Sequence, residues 1–294
     1  MNRIDQCLEQ LSLCGTKALI PYLPVGFPHP SQTLAIMHGL VRGGANIIEL
    51  GVPFSDPMAD GPVIQKATDQ ALSFGVSLKT VLNTVKEFRA DNPNTPIVIM
   101  TYTNPIESMG YEIFAAQAAE VGVDAVLMVD SPIEELAEVK TIFTSHSLYL
   151  INFLSSTTRQ DRLDKVCQSA QGFVYYVALK GVTGAANLDA TEVTSHVLRI
   201  KKQLQTPLMI GFGVRDGASA RAVAQSADGV IIGTELVKQL GEDYRTSTGS
   251  DLVDDKHPLI CASEVAPELV ASRAEVFLKQ IRYALDQDDH KSEQ

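Results

Sequence analysis

The sequence predicts a single (β/α)8 TIM barrel over residues 1–294, with one extra helix at its N-terminus. Short apolar runs of strand length alternate with longer segments in which apolar residues recur at helical spacing. The runs are continuous rather than alternating, as in parallel strands that helices cover. They lie at residues 19–23, 46–52, 97–102, 124–130, 148–153, 173–178, 207–211 and 229–232. Eight such units favour a closed barrel, although the periodicity by itself also allows an open, doubly wound sheet.

The segments between the runs are predicted to be helices. Residues 3–13 place Ile4, Leu8 and Leu11 on one stripe, which predicts an extra helix across the bottom of the barrel. Residues 270–285 repeat apolar side chains in the same way. Residues 241–268 interrupt this alternation of strands and helices and carry many acidic side chains. They are expected to form an exposed acidic loop. The polar residues 286–294 are expected to be a frayed tail.

Composition argues against several classes of function. The chain has 24 basic and 35 acidic residues, and its net charge of −11 disfavours nucleic-acid binding. Its four cysteines form no C-x-x-C pair and do not cluster with histidines, so neither a metal site nor a disulfide framework is expected. No signal peptide or apolar stretch long enough for a membrane span is evident. A cytoplasmic protein without membrane contact is therefore expected.

Glu49 stands near the C-terminal end of an otherwise apolar strand. A carboxylate in such a place must either find a basic partner or raise its pKa. Pairing with a neighbouring Lys or Arg would give it a structural role. A catalytic role is favoured, because chemistry in these barrels takes place at the C-terminal ends of the strands.

The loop after that strand is rich in proline and glycine, which dictates a specific path for the backbone. It carries Asp56 and Asp60. Asp56 precedes a proline and is interpreted as a turn residue. Asp60 has two open interpretations, either as the N-cap of a helix that begins near Pro62 or as a functional carboxylate.

Glycine-bearing segments follow the sixth, seventh and eighth strands, at residues 180–185, 211–213 and 233–235. Barrels usually bind phosphate in this region, through backbone N–H groups and a helix N-terminus. Thr234 adds a hydroxyl at a helix start, although it could be a simple N-cap there. Tyr22, Tyr102, Tyr175 and Tyr176 lie at or near strand ends and could line a pocket for an aromatic ligand.

The segment ELGVPFSDPMADGP, residues 49–62, closely resembles the signature of the tryptophan synthase alpha subunit family. The likeness covers nearly the whole chain. It departs from the family around residues 150–158, where the family commonly has Ala-Pro before the threonine pair, and in the long acidic loop. The resemblance implies a TIM barrel that cleaves indole-3-glycerol phosphate into indole and glyceraldehyde 3-phosphate.

The resemblance also implies roles for individual residues. Glu49 would be the acid and base, and Asp60 would stabilise positive charge on the indole. The backbone at Gly184, Gly213, Gly233 and Thr234 would bind the phosphate, while Thr183 in a mobile loop would hydrogen-bond Asp60 on closure. The remaining residues of the predicted substrate site are Tyr22, Tyr102, Tyr175 and Phe212.

No cofactor or metal is implied for this chain. The resemblance implies a beta-subunit partner that carries pyridoxal phosphate and receives indole within an αββα heterotetramer. Three alternatives stay open at this point. They are a Schiff-base aldolase that uses Lys180, a degenerate barrel that only binds ligand or activates a partner, and an indole lyase that works alone.

Overall fold

The computed structural model describes residues 1–177, 190–211, 213–241 and 265–287. Within these ranges nine strand segments form one parallel sheet in the order β5-β4-β3-β2-β1-β9-β8-β7-β6. The segments are β1 Ala18–Pro24, β2 Ile48–Gly51, β3 Ile97–Thr101, β4 Ala125–Met128, β5 Tyr149–Leu150, β6 Asn152–Ser155, β7 Val174–Val177, β8 Leu208–Ile210 and β9 Gly229–Ile232.

The two edge segments, β5 and β6, are separated in the chain by Ile151 alone. They correspond to one predicted strand, residues 148–153, which pairs with β4 through its first half and with β7 through its second. Staggered register in a tilted barrel explains this division, because the partners on the two sides begin at different heights. The sheet therefore returns on itself, and the predicted eight-stranded barrel is confirmed.

Helices alternate with the strands around the outside of the barrel, apart from the first helix, which lies across the N-terminal end of the barrel. They are α1 Arg3–Leu13, α2 Thr33–Arg42, α3 Pro62–Ser73, α4 Leu78–Asp91, α5 Thr103–Met109, α6 Tyr111–Val121, α7 Ala137–Ser145, α8 Gln160–Ser169, α9 Ala190–Lys201, α10 Gly217–Ala224, α11 Thr234–Leu240 and α12 Pro267–Leu285. Short 3-10 turns lie at Pro30–Gln32 and Ile133–Glu135.

The last helix, α12, begins earlier than its apolar pattern suggested. Pro267 is its first residue, a position where proline fits because its missing N–H would have no partner inside the helix. Residues 267–268 therefore belong to this helix and not to the predicted acidic loop. The rest of that loop from residue 242 onward falls largely outside the described residues, as does the predicted tail from residue 288.

The extra helix α1 closes the N-terminal end of the barrel, as predicted. Its Ile4 and Leu8 pack among side chains that fill the barrel interior, such as Ile151 and Phe173. Arg3 also forms an ion pair of 2.9 Å with Asp124, which directly precedes β4. Because this end is filled, a ligand has access to the barrel interior from the opposite, C-terminal end of the strands.

Candidate active site

Glu49 lies inside the barrel on β2, beside Tyr22 of β1 and Val98 of β3. It is only 2% exposed, and neither of its carboxylate oxygens has a hydrogen-bond partner among the described residues. Burial, and secondarily the negative charge of Asp60, raises the pKa of Glu49 to about 8. Among the described residues no basic side chain pairs with Glu49, which argues against the structural alternative, and the raised pKa favours the protonated form of the group.

Asp60 lies in the loop between β2 and α3. Gly61, not Asp60, is the N-cap of α3, so the interpretation of Asp60 as a capping residue is wrong. One carboxylate oxygen of Asp60 accepts a hydrogen bond of 3.1 Å from the Tyr102 hydroxyl. Burial raises the pKa of Asp60, and the hydrogen bond from Tyr102 opposes that shift by favouring the ionised form.

Tyr102 follows β3 and holds the loop that carries Asp60. Its hydroxyl accepts a hydrogen bond of 3.0 Å from the backbone N–H of Ala59 and donates to Asp60. Its ring stacks on Phe54 at a centroid distance of 5.1 Å. Burial raises the pKa of Tyr102, which keeps the phenol protonated and able to donate. The loop is thus fixed at three points by one buried side chain.

Tyr22 lies beside Glu49 in a space that two glycines leave open. A Cβ atom at Gly51 would collide with the Tyr22 hydroxyl, and one at Gly233 would lie 3.2 Å from its ring. Burial raises the pKa of Tyr22, and the nearby charges of Asp60 and Glu49 add to this effect. The Tyr22 side chain is therefore uncharged, and it lies close to the carboxyl groups of both Glu49 and Asp60.

Tyr175 occupies a similar place on β7. A Cβ atom at Gly211 would collide with its hydroxyl. Burial raises the pKa of Tyr175, with further contributions from Glu49 and then Asp60. Phe153 of β6 is its register partner and is 36% exposed, an unusual amount for a large apolar side chain in a strand. Together these side chains give the mouth of the barrel an aromatic lining.

Gly213 and Gly233 follow β8 and β9 at the same end of the barrel. Gly213 has φ +70°, a conformation that favours glycine. Gly233 is the N-cap of α11 and Thr234 is its first residue, so Thr234 is not the N-cap. No side chain caps this helix, and its first N–H groups remain available to an anion.

Several predicted residues lie outside the described ranges. Thr183, Gly184 and Phe212 belong to this group, as does Lys180 of the aldolase alternative. The described members of the predicted site are Tyr22, Glu49, Asp60, Tyr102, Tyr175, Gly213, Gly233 and Thr234. Tyr22, Glu49 and Tyr175 lie within strands, and the others lie in the segments that follow the C-terminal ends of strands. Among the described residues, no three His, Cys, Asp or Glu side chains are close enough to hold a metal ion.

A family model described as tryptophan synthase alpha chain matches residues 8–257, which is most of the sequence. The chain belongs to the tryptophan synthase alpha chain family. Members of this family cleave indole-3-glycerol phosphate as carbon–carbon lyases in tryptophan biosynthesis, so the function class expected from the sequence is confirmed.

Individual relatives agree with this assignment. The tryptophan synthase alpha chain of Chromobacterium violaceum is 50% identical over 240 residues, covering 82% of this chain and 91% of the relative. That of Xanthomonas axonopodis pv. citri is 47% identical over 290 residues, covering 98% and 100%. The crystal structure of tryptophan synthase subunit alpha from Legionella pneumophila has a TM-score of 0.85 at 39% identity, covering 97% of this chain and 99% of that one.

Sequence reasoning missed the structural roles of Gly51, Gly211 and Phe54. Gly51 follows Glu49 by two residues and therefore faces the same side of its strand, a signal that period-2 counting could have used. No comparable signal marks the stacking of Phe54 on Tyr102, because it joins the loop after β2 to the residue that follows β3. Tyr176, also considered as a pocket residue, is fully buried on the outer side of the sheet with Leu154.

Proposed function

We propose that Glu49 and Asp60 carry out the cleavage of indole-3-glycerol phosphate in this chain. The observation that supports this most is the buried Glu49 carboxyl, which has no hydrogen-bond partner among the described residues and a pKa raised to about 8. A group with a pKa near the working pH can both give and take a proton within one reaction cycle. Family membership supplies the substrate on which such a group would act.

Glu49 acts first as an acid. It gives its proton to carbon 3 of the indole ring, which places a positive charge on the ring nitrogen. The resulting carboxylate then removes the proton of the hydroxyl on the adjacent glycerol carbon. That carbon becomes a carbonyl, the bond to carbon 3 breaks, and its electron pair restores the aromatic ring. Indole and glyceraldehyde 3-phosphate leave, and Glu49 has its proton again.

Asp60 stabilises the positive charge that this sequence creates. Its carboxylate accepts a hydrogen bond from the indole N–H, and the interaction strengthens as charge grows on the nitrogen. This role requires the ionised form, which the hydrogen bond from Tyr102 favours. The surroundings of the two carboxyl groups thus favour different protonation states, so that Glu49 transfers the proton and Asp60 stabilises the positive charge.

The phosphate is a tether that takes no part in bond breaking. Backbone N–H groups at Gly184, Gly213, Gly233 and Thr234 bind it, with support from the uncapped start of α11. Anchoring the substrate at this point orients the bond to be cleaved, so remote binding energy contributes to the rate. Tyr22, Tyr102 and Tyr175 form the indole pocket. The roles of Phe212 in that pocket and of Thr183 as a partner of Asp60 stay predictions from the family resemblance.

The partner is a beta subunit in an αββα heterotetramer. It receives indole and supplies the pyridoxal phosphate of the tryptophan-forming step, whereas this chain uses no cofactor of its own. Family membership supports a beta-subunit partner. None of the helices in the described part of the chain is long and apolar enough to cross a membrane. Location in the cytoplasm stays a prediction.

The decisive experiment is turnover of indole-3-glycerol phosphate by wild type and Glu49→Gln, each with and without a beta subunit. Glu49→Gln should lower the rate by about a thousandfold or more while keeping substrate affinity, because the amide cannot transfer the proton. Asp60→Asn should lose about a hundredfold. Full activity of Glu49→Gln would remove Glu49 from the mechanism. A covalent adduct on Lys180 after borohydride reduction would establish the aldolase alternative instead.

A further inference from the structure

We infer that Asp130, in the segment after β4, is a positioning residue for this reaction. It acts through Thr103 and Tyr102 to hold Asp60 in place. The inference rests on the proposed function of Asp60 as the partner of the indole nitrogen. Asp130 belongs to a different strand unit from Asp60 and lies 70 positions further along the sequence.

Asp130 is tied to Thr103 by two hydrogen bonds to the same carboxylate oxygen. The backbone N–H of Thr103 donates to it at 2.8 Å, and the Thr103 hydroxyl donates at 2.7 Å. The Thr103 hydroxyl is also 2.5 Å from that of Ser131, which is buried. Three short hydrogen bonds thus converge on Thr103, the first residue of α5, so this cluster fixes the chain where that helix begins.

Tyr102 is the residue that this cluster immobilises. The buried Thr101 hydroxyl donates to the Tyr102 carbonyl at 3.1 Å. The N–H of the same peptide unit, that of Thr103, donates to Asp130. The peptide unit that directly follows Tyr102 is thus held at both its C=O and its N–H, next to the side chain whose hydroxyl donates to Asp60.

A displaced backbone at Thr103 would move the phenol away from the loop that it holds. The Tyr102 hydroxyl makes the hydrogen bonds to both Ala59 and Asp60, so a small shift weakens two contacts at once. Catalytic groups need placement within a fraction of an ångström, and losses of this kind lower rates without preventing binding. The phosphate tether lies on other loops and stays intact, so the effect falls on kcat more than on KM.

A purely structural role for Asp130 gives a different expectation. If Asp130 only stabilised the start of α5, its loss would lower stability and leave the rate of the folded enzyme unchanged. If it acts through Tyr102, its loss should have little further effect once the Tyr102 hydroxyl is gone. A double-mutant cycle separates the two cases, because residues acting through a common contact are not additive.

The experiment measures kcat and KM for indole-3-glycerol phosphate cleavage by the full chain with its beta subunit. Asp130→Ala should lower kcat about tenfold with KM within about twofold, and Asp130→Asn should restore most of the rate because its amide oxygen still accepts from Thr103. In a Tyr102→Phe background, Asp130→Ala should change kcat by less than about twofold. The exposed Asp69→Ala on α3 is the matched control and should match wild type.

Multiplicative effects of Asp130→Ala and Tyr102→Phe would overturn the inference, as would an unchanged kcat in Asp130→Ala. If Asp130→Ala does not fold, Thr103→Val carries the same cycle, because it keeps the backbone N–H and loses the hydroxyl bond. It should lower kcat severalfold in wild type and not in Tyr102→Phe. A wild-type chain that cleaves no substrate overturns the proposed function and this inference with it, whereas an active wild type with a multiplicative cycle overturns the inference alone.

Discussion

At the scale of single residues, burial inside the barrel disfavours the charged form of the Glu49 carboxyl group. In the unfolded chain Glu49 has the ordinary pKa of 4.5, and in the fold its pKa is about 8. Below the first value both states hold the proton. Between the two values only the folded state holds it, so the free energy of unfolding falls as pH rises, by about 1.4 kcal/mol per pH unit.

The stability of Glu49→Gln should therefore depend on pH relative to wild type. The amide cannot ionise, so its free energy of unfolding should exceed that of wild type increasingly from about pH 5 to 8, by a few kcal/mol at the upper end. Urea unfolding at several pH values measures this difference. The exposed Glu120→Gln is the matched control and should show no such trend. A difference that is flat with pH would contradict an elevated pKa at Glu49.

The pH dependence of activity belongs to the same residue. Because the first step needs protonated Glu49, the rate of the cleavage step should fall as pH rises through about 8. Single-turnover measurements over pH 6–10 follow this step without product release. A constant rate across that range would show that protonation of Glu49 is not required.

At the scale of elements, the side chain of Tyr22 on β1 occupies space that Gly51 on the neighbouring strand β2 leaves open. Gly51→Ala introduces a methyl group against the Tyr22 hydroxyl, and Gly51 lies in a strand whose backbone cannot move freely. It should lower the free energy of unfolding by about 1–3 kcal/mol and raise KM by displacing Tyr22. Gly61→Ala is the matched control for stability, because a Cβ there meets no atom within 4 Å and its φ is −77°.

A second substitution tests the cause of this effect. Tyr22→Leu removes the hydroxyl and ring that the new methyl group would meet, so Gly51→Ala should cost less in its presence than in wild type. Thermal or urea unfolding of the four proteins gives the comparison. Equal costs in both backgrounds would show that the Gly51 backbone, rather than contact with Tyr22, sets the requirement for glycine.

At the scale of the whole molecule, the two ends of the barrel have separate tasks. The N-terminal end is closed by α1, and the C-terminal end carries the site. Ile4→Ala, at a fully buried position of α1, should lower the free energy of unfolding by about 2–4 kcal/mol and leave kcat and KM within about twofold. Leu13→Ala on the same helix is 78% exposed and should change neither property. A large rise in KM for Ile4→Ala would contradict this separation.

The sequence predicted the barrel well because its signals are local. Continuous apolar runs marked the strands, and the spacing of Ile4 and Leu8 predicted α1 with its observed bounds. Glu49 was recognisable because a carboxylate in an apolar strand needs an explanation. The remainder depended on contacts between distant segments. That Asp60 is held by Tyr102, 42 positions away, and is not a cap could only be seen once the strands were side by side.

The most direct test of the central claim is a crystal structure with indole-3-propanol phosphate, an analogue whose side chain lacks the hydroxyls needed for cleavage. Carbon 3 of the ring should lie within proton-transfer reach of a Glu49 oxygen. The ring N–H should point at Asp60, and the phosphate should contact the backbone N–H groups of Gly213, Gly233 and Thr234. A ring out of reach of Glu49, or a phosphate bound elsewhere, would contradict the proposed roles of these residues.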